Sequence, residues 1–125
     1  MNEYSYLSEN RLTEKEDFSA VFKQALFKHS GAEFLILARP NTWDVARLGV
    51  VVPKKNVRKS VARNRIKRVV RESFRLNKNQ LSHWDIVVLA LRLSGKMPNE
   101  QLFERLASGW TRLTNRTMRD LNERN

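Results

Sequence analysis

The stretch from Ser60 to Leu76 tolerates few environments. At 100° per residue, Ala62, Ile66, Val69, Val70, Ser73 and Leu76 fall on one arc of a helix. Asn64, Lys67, Arg68, Arg71 and Arg75 fall on the opposite arc, and Arg63 and Arg65 sit at the borders. Such a helix must lay its apolar arc on another apolar surface. It cannot bury the other arc, because an unpaired charge in a core is costly. The pattern predicts a surface helix packed on a sheet, with a ridge of positive charge facing outward.

The ridge belongs to a longer basic run, Lys54 to Arg75. That run holds 10 of the chain's 24 lysines and arginines in 22 positions, and Glu72 is its only acid. It therefore carries +9 of the formal +11. Self-repulsion works against a fold that concentrates like charge this way, so the counterpart is a polyanion. Solvated helix faces usually mix both signs, and this one is nearly single-signed. Arginine forks hold phosphates through paired bonds, and lysines act as point charges. At about 1.5 Å per residue, Asn64 and Arg75 lie roughly 16 Å apart, enough to meet several phosphates. With a sequence pI near 10.7, nucleic acid is the first candidate and an anionic membrane the second.

The rest of the chain supplies the surface that the helix needs. Its 125 residues suit one domain. Residues 1–10 are expected as an arm. Thr13 and Glu16 have the spacing of a capping box, which predicts a helix to about Gln24 with Phe18, Val21, Phe22 and Ala25 on one face. Glu33 to Arg39 reads as a first strand and Val45 to Val52 as a second, paired as an antiparallel hairpin and ended by Pro53. Trp84 to Leu91 has the apolar continuity of a central strand. A last helix is expected from Asn99, a favourable cap, carrying Leu102, Phe103, Leu106, Trp110 and Leu113, with a polar tail over 115–125. Trp43, Trp84 and Trp110 read as packing residues. The predicted fold is α+β, a small β-sheet with helices packed on it in the order α-β-β-α-β-α.

Several function classes find no support. The chain has no cysteine, hence no disulfide framework or thiolate chemistry. His29 and His83 fall in separate predicted loops and read as solvated. The acids are mostly single, without the spacing of a metal-ligand set. No apolar run approaches the roughly 20 residues that a membrane helix needs, and the N-terminus lacks the pattern of a signal peptide. The expectation is a soluble cytoplasmic protein without membrane association. On spacing alone Phe18 and Phe22 read as core; aromatic faces beside positive charge also suit unpaired bases.

Arg63-Asn64-Arg65-Ile66-Lys67-Arg68-Val69-Val70-Arg71-Glu72-Ser73-Phe74-Arg75 resembles the signature of the bacterial ribonuclease P protein family. Asn10-Arg11-Leu12, Asp17-Phe18 and Val21-Phe22 resemble that family's first helix. Arg47-Leu48-Gly49-Val50, Lys54-Lys55 and Trp84-Asp85-Ile86-Val87-Val88 resemble its later segments in the same order. The resemblance covers almost the whole chain and implies a ribosomal-protein-like sandwich.

It also implies a function: assisting a catalytic RNA that removes the 5′ leader of precursor tRNA by magnesium-dependent hydrolysis. The Mg2+ would be bound mainly by the RNA subunit, one protein would serve each RNA, and the protein alone would not cleave. Arg63, Asn64, Arg65, Lys67, Arg68, Arg71 and Arg75 would then face the RNA subunit. Phe18, Phe22, Lys54, Lys55 and Leu37 would line a cleft for the single-stranded leader. Leu37 stands where some relatives carry an aromatic residue, so base stacking and a hydroxyl are lost there. Composition alone also allows a structural RNA-binding protein such as a ribosomal component. A DNA-binding regulator would need a helix-turn-helix pair, whereas the long helix here is flanked by strands.

Overall fold

The computed structural model describes residues 10–42 and 44–124; residues 1–9 of the expected arm, Trp43 and Asn125 lie outside the described residues. Asn10, the last residue expected in that arm, is instead buried, and its Nδ2 donates to Ala46 O (2.7 Å). Helix α1 spans Lys15–Gln24, α2 Ser60–Asn77 and α3 Asn99–Arg124; strands β1 to β4 span Phe27–Ser30, Phe34–Pro40, Arg47–Val51 and Trp84–Ala90. The α+β class and the small helix-covered sheet are as predicted. The order contains one more strand, β1. Its Phe27 is buried while Lys28 and Ser30 are exposed, the two-residue alternation of a half-buried strand. His29 therefore sits in this strand and not in a loop.

The sheet order is β1-β2-β4-β3. The expected hairpin of β2 with β3 does not form. Instead β4 lies between them, antiparallel to β2 and parallel to β3. A parallel pair needs a long crossover, and α2 provides it. β4 is the central strand foreseen from its apolar run, with every residue but Leu89 buried.

The two sheet faces are covered differently. On one, α2 and α3 pack over Ile36, Ala38, Leu48, Ile86 and Val88 to build the main core. On the other, α1 covers a small cluster of Leu12, Val21, Leu37 and Val87. The phasing of α2 is largely as predicted: Ile66, Val69, Val70 and Ser73 are buried. Leu76 is not; it is 50% exposed, while Phe74 is fully buried. These two residues flank the apolar arc on opposite sides. α3 packs on the Phe74 side, where the Trp110 ring meets Phe74 edge-on at 6.4 Å. Trp110 Nε1 donates to Ser73 Oγ (2.9 Å), which satisfies a polar atom inside the core. Trp84 is buried as well.

Both expected helix caps differ. Glu14, not Thr13, precedes α1, and no side chain caps it. Asn99 is the first residue of α3, and its side-chain oxygen accepts from Arg65 Nη1 (2.6 Å) instead of capping. α3 also continues through the polar tail to Arg124.

Candidate nucleic-acid interface

Three rows of residues cross the sheet on the face that carries α1, and they set the site. In the first row Arg39, Asp85 and Arg47 lie side by side on β2, β4 and β3. Asp85 is fully buried. Its Oδ1 accepts from Arg47 Nε (2.8 Å) and Asn41 Nδ2 (2.8 Å), and its Oδ2 from Arg47 Nη2 (2.7 Å). Arg39 Nη2 approaches Oδ2 at 3.5 Å. Burial by itself would raise the Asp85 carboxyl. Hydrogen bonds from Arg47 and Asn41 and the charges of Arg47 and Arg39 outweigh it and hold the group below the usual aspartate range.

Both arginines also reach up to α1. Arg47 Nη2 lies 3.5 Å from Asp17 Oδ1, and Arg39 Nη1 donates to Gln24 Oε1 (2.7 Å). From Asp17 to Gln24 the helix rises about 10.5 Å, close to the two strand spacings of about 9.6 Å between β3 and β2. One buried carboxylate thus clamps α1 across the strands at both ends.

The second row, Leu37, Val87 and Gly49, lies under the helix. A Cβ on Gly49 would fall 2.4 Å from Phe18 Cε1, so the Phe18 ring rests directly on the backbone of β3. Leu37 is 8% exposed and belongs to the packing beneath α1. It offers the cleft little surface, against the expectation that it lines it.

The third row, Leu35, Leu89 and Val51, is only half-buried. Phe18, Phe22 and Ala25 occupy the flank of α1 turned away from the clamp, by their spacing of four and three residues. Phe18 is half-buried and Phe22 is 47% exposed. Phe18, Ala25, Leu35 and Val51 pack, partly buried, against the small cluster, so that flank and the third row border a partly exposed apolar strip along α1, the trough. Lys54 and Lys55, both exposed, stand in the turn that follows β3, at one end of it. The aromatic residues singled out from sequence therefore share one flank of α1, and the two lysines follow β3, the strand that carries Val51. Leu35, Leu89 and Val51 were not singled out; their alternation along the strands was the available signal, but the pairing partners were not.

On the opposite face of the molecule, α2 presents its charged arc. Asn64, Lys67, Arg68, Arg71, Glu72 and Arg75 line one shallow open depression. Asn64, Arg68 and Arg71 are exposed and Lys67 is half-buried. Arg75 pairs with Glu72 through two hydrogen bonds, which hold the Glu72 carboxyl below its usual range. Arg63 and Arg65 turn partly inward. Arg63 Nη1 donates to the carbonyls of Val57 (3.1 Å) and Arg58 (2.6 Å), and Arg65 Nη1 to Met97 O (3.2 Å) as well as to Asn99. These two brace the ends of α2 and α3, so the outward ridge is centred on Asn64, Lys67, Arg68 and Arg71.

Among the described residues, no group of three or more histidine, aspartate or glutamate side chains is placed to hold a metal ion. Nor is any helix among them long and apolar enough to cross a membrane.

Comparison with known proteins matches residues 7–114 to the family model described as Ribonuclease P. A ribonuclease P protein component of Azotobacter vinelandii is 47% identical over 105 residues, covering 84% of this chain and 81% of the relative. One from Vibrio cholerae is 43% identical over 116 residues, covering 91% and 96%. Among solved structures, the RNase P protein of Staphylococcus aureus superposes with a TM-score of 0.76 at 29% identity, covering 82% of this chain and 93% of that one. That of Thermotoga maritima gives 0.72 at 36% identity, covering 82% and 96%.

Proposed function

This chain belongs to the bacterial ribonuclease P protein family, and from that premise we propose that it docks a catalytic RNA through α2 and holds a precursor's 5′ leader under α1. Membership makes it a protein component of a ribonucleoprotein that acts in tRNA processing. It also sets aside the ribosomal and DNA-binding alternatives.

One observation carries the finer reading: the two candidate surfaces lie on opposite faces of one sheet and differ in chemistry. The α2 ridge is charged and rigid, suited to the phosphates of a folded RNA. The trough pairs a half-exposed aromatic with an apolar floor and terminal lysines, suited to unpaired bases whose backbone stays solvated. A rigid body with these two faces can bring a single strand to a fixed position relative to the RNA beneath α2. In this division of labour the RNA subunit holds the magnesium ions and performs the hydrolysis. The protein contributes orientation, which lowers the barrier by fixing the substrate before reaction.

Reconstitution tests this. Added to the RNA subunit at low magnesium, the protein should raise precursor cleavage, and it should cleave nothing alone. The Arg68→Ala/Arg71→Ala variant should bind the RNA subunit more weakly, with a salt slope lower by about 2. An unchanged slope would remove α2 from the phosphate interface. No gain in cleavage or in precursor affinity on adding the protein would refute the proposal.

A further inference from the structure

The trough has a far end. It follows α1 from the turn after β3 towards β1, the edge strand of the sheet. There α1 gives way to Leu26, which is 57% exposed, and the chain enters β1. Immediately beyond lies a second open depression, lined by Phe27, Lys28, His29, Arg112, Asn115 and Arg116.

This depression lies at the outer edge of β1, which has no strand partner on that side among the described residues. Lys28 pairs in register with Leu37, whose side chain belongs to the cluster under α1; Lys28 therefore stands on the trough's face of the sheet. Phe27 belongs to the main core on the other face. Arg112 and Arg116 come from α3, four residues apart and so on one stripe. Arg116 Nη1 donates to Leu26 O (3.1 Å), which fixes that guanidinium at the trough's exit. Lys28 and Arg112 are exposed. The lining carries three cations and no acid. Burial and the Arg112 charge lower the His29 pKa against the opposing effect of Glu33, so the positive charge comes from the lysine and arginines.

We propose that this edge groove takes the phosphodiester backbone of single-stranded RNA as it leaves the trough. A long 5′ leader would then be held in two stretches, bases over Phe18 and Phe22 and phosphates at Lys28, Arg112 and Arg116. The inference rests on the leader reading of the trough, and it adds a length dependence that the trough alone does not have. A leader that ends within the trough never reaches the groove.

Binding of the reconstituted holoenzyme to precursors with a short and a long leader tests it, with Lys28→Ala/Arg112→Ala and Phe22→Ala compared. The double variant should weaken long-leader binding on the order of tenfold and flatten its salt slope by about 1.4, the single-strand value for two phosphates. Short-leader binding should stay within about twofold of the unmodified protein, and Lys28→Arg/Arg112→Lys should retain the long-leader advantage, since charge is kept. Equal losses on both leaders, or no loss on either, would overturn the groove. Phe22→Ala should weaken both precursors relative to mature tRNA; if it weakens neither, the trough reading fails, whatever the groove does.

Discussion

Replacing Gly49 by alanine joins the fold to the site through one atom. The φ of Gly49 is not in the left-handed region, so alanine meets no backbone strain and the effect is steric. The new Cβ would lie 2.4 Å from Phe18 Cε1 and 2.6 Å from Cζ, against about 3.5–4.0 Å for a carbon contact at its optimum. The ring must retreat by about 1 Å or more. It can swing outward and lose apolar burial, or it can push α1 off the sheet against the Asp85 clamp. Overpacking of this kind costs about 1–3 kcal/mol. For 125 residues, an unfolding entropy of about 2.1 cal/mol/K per residue makes each kcal/mol worth about 4 °C. Thermal unfolding should therefore show Tm lowered by about 4–12 °C. The same displacement moves Phe18 from its place in the trough, so affinity for leader-bearing precursor should fall more than affinity for mature tRNA. In a Phe18→Ala background the clash is gone, and Gly49→Ala should then cost less than about 0.5 kcal/mol. An equal cost in both backgrounds would show that the ring does not rest on Gly49, and the geometry of the trough would be wrong.

Asp85→Ala should destabilise by about 3–5 kcal/mol in urea titration, since Arg47 and Arg39 lose their shared buried partner. Because the folded-state pKa of Asp85 is depressed, its contribution is full above the unfolded value of about 3.9 and is lost as pH falls through the folded value. Stability should decline with acid below about pH 4, and Asp85→Asn should flatten that limb; an acid limb of unchanged slope would argue against the clamp. Ser73→Ala looks harmless or favourable on helix propensity, yet it leaves the buried Trp110 N–H unpaired. A net loss of about 1–2 kcal/mol is expected by chemical denaturation, and a stabilised variant would contradict the bond.

Periodicity carried local structure well. The apolar arc of α2 foretold both its helix and its orientation, because Ile66, Val69, Val70 and Ser73 all had to leave water together. The central position of β4 followed from its unbroken apolar run. β1 was passed over because four residues give too short an alternation, even with Gly31 marking the turn after it. The hairpin of β2 with β3 was expected from their short connection, but the choice of strand neighbour depends on which strand can shield both edges, and β4 does so from further along the chain. The α2 border residues show the same limit: Leu76 and Phe74 flank the apolar arc on opposite sides, and α3 docks on the Phe74 side and leaves Leu76 exposed.

The candidate sites divide along that line. Helical spacing placed the outward arc of α2 and set Phe18 and Phe22 on one flank of α1, because each lies on a single helix whose geometry is local; spacing alone read that pair as core, and only the resemblance gave it a cleft role. Tertiary structure alone decided the rest. Strand register assembles the Arg39–Asp85–Arg47 clamp from three separate segments and brings Gly49 under Phe18. It covers Leu37, opens the row of Leu35, Leu89 and Val51, and sets Lys28 beside Arg112. A helix fixes its own faces through bonds between near neighbours, whereas a sheet acquires its rows only when distant strands have chosen partners and register.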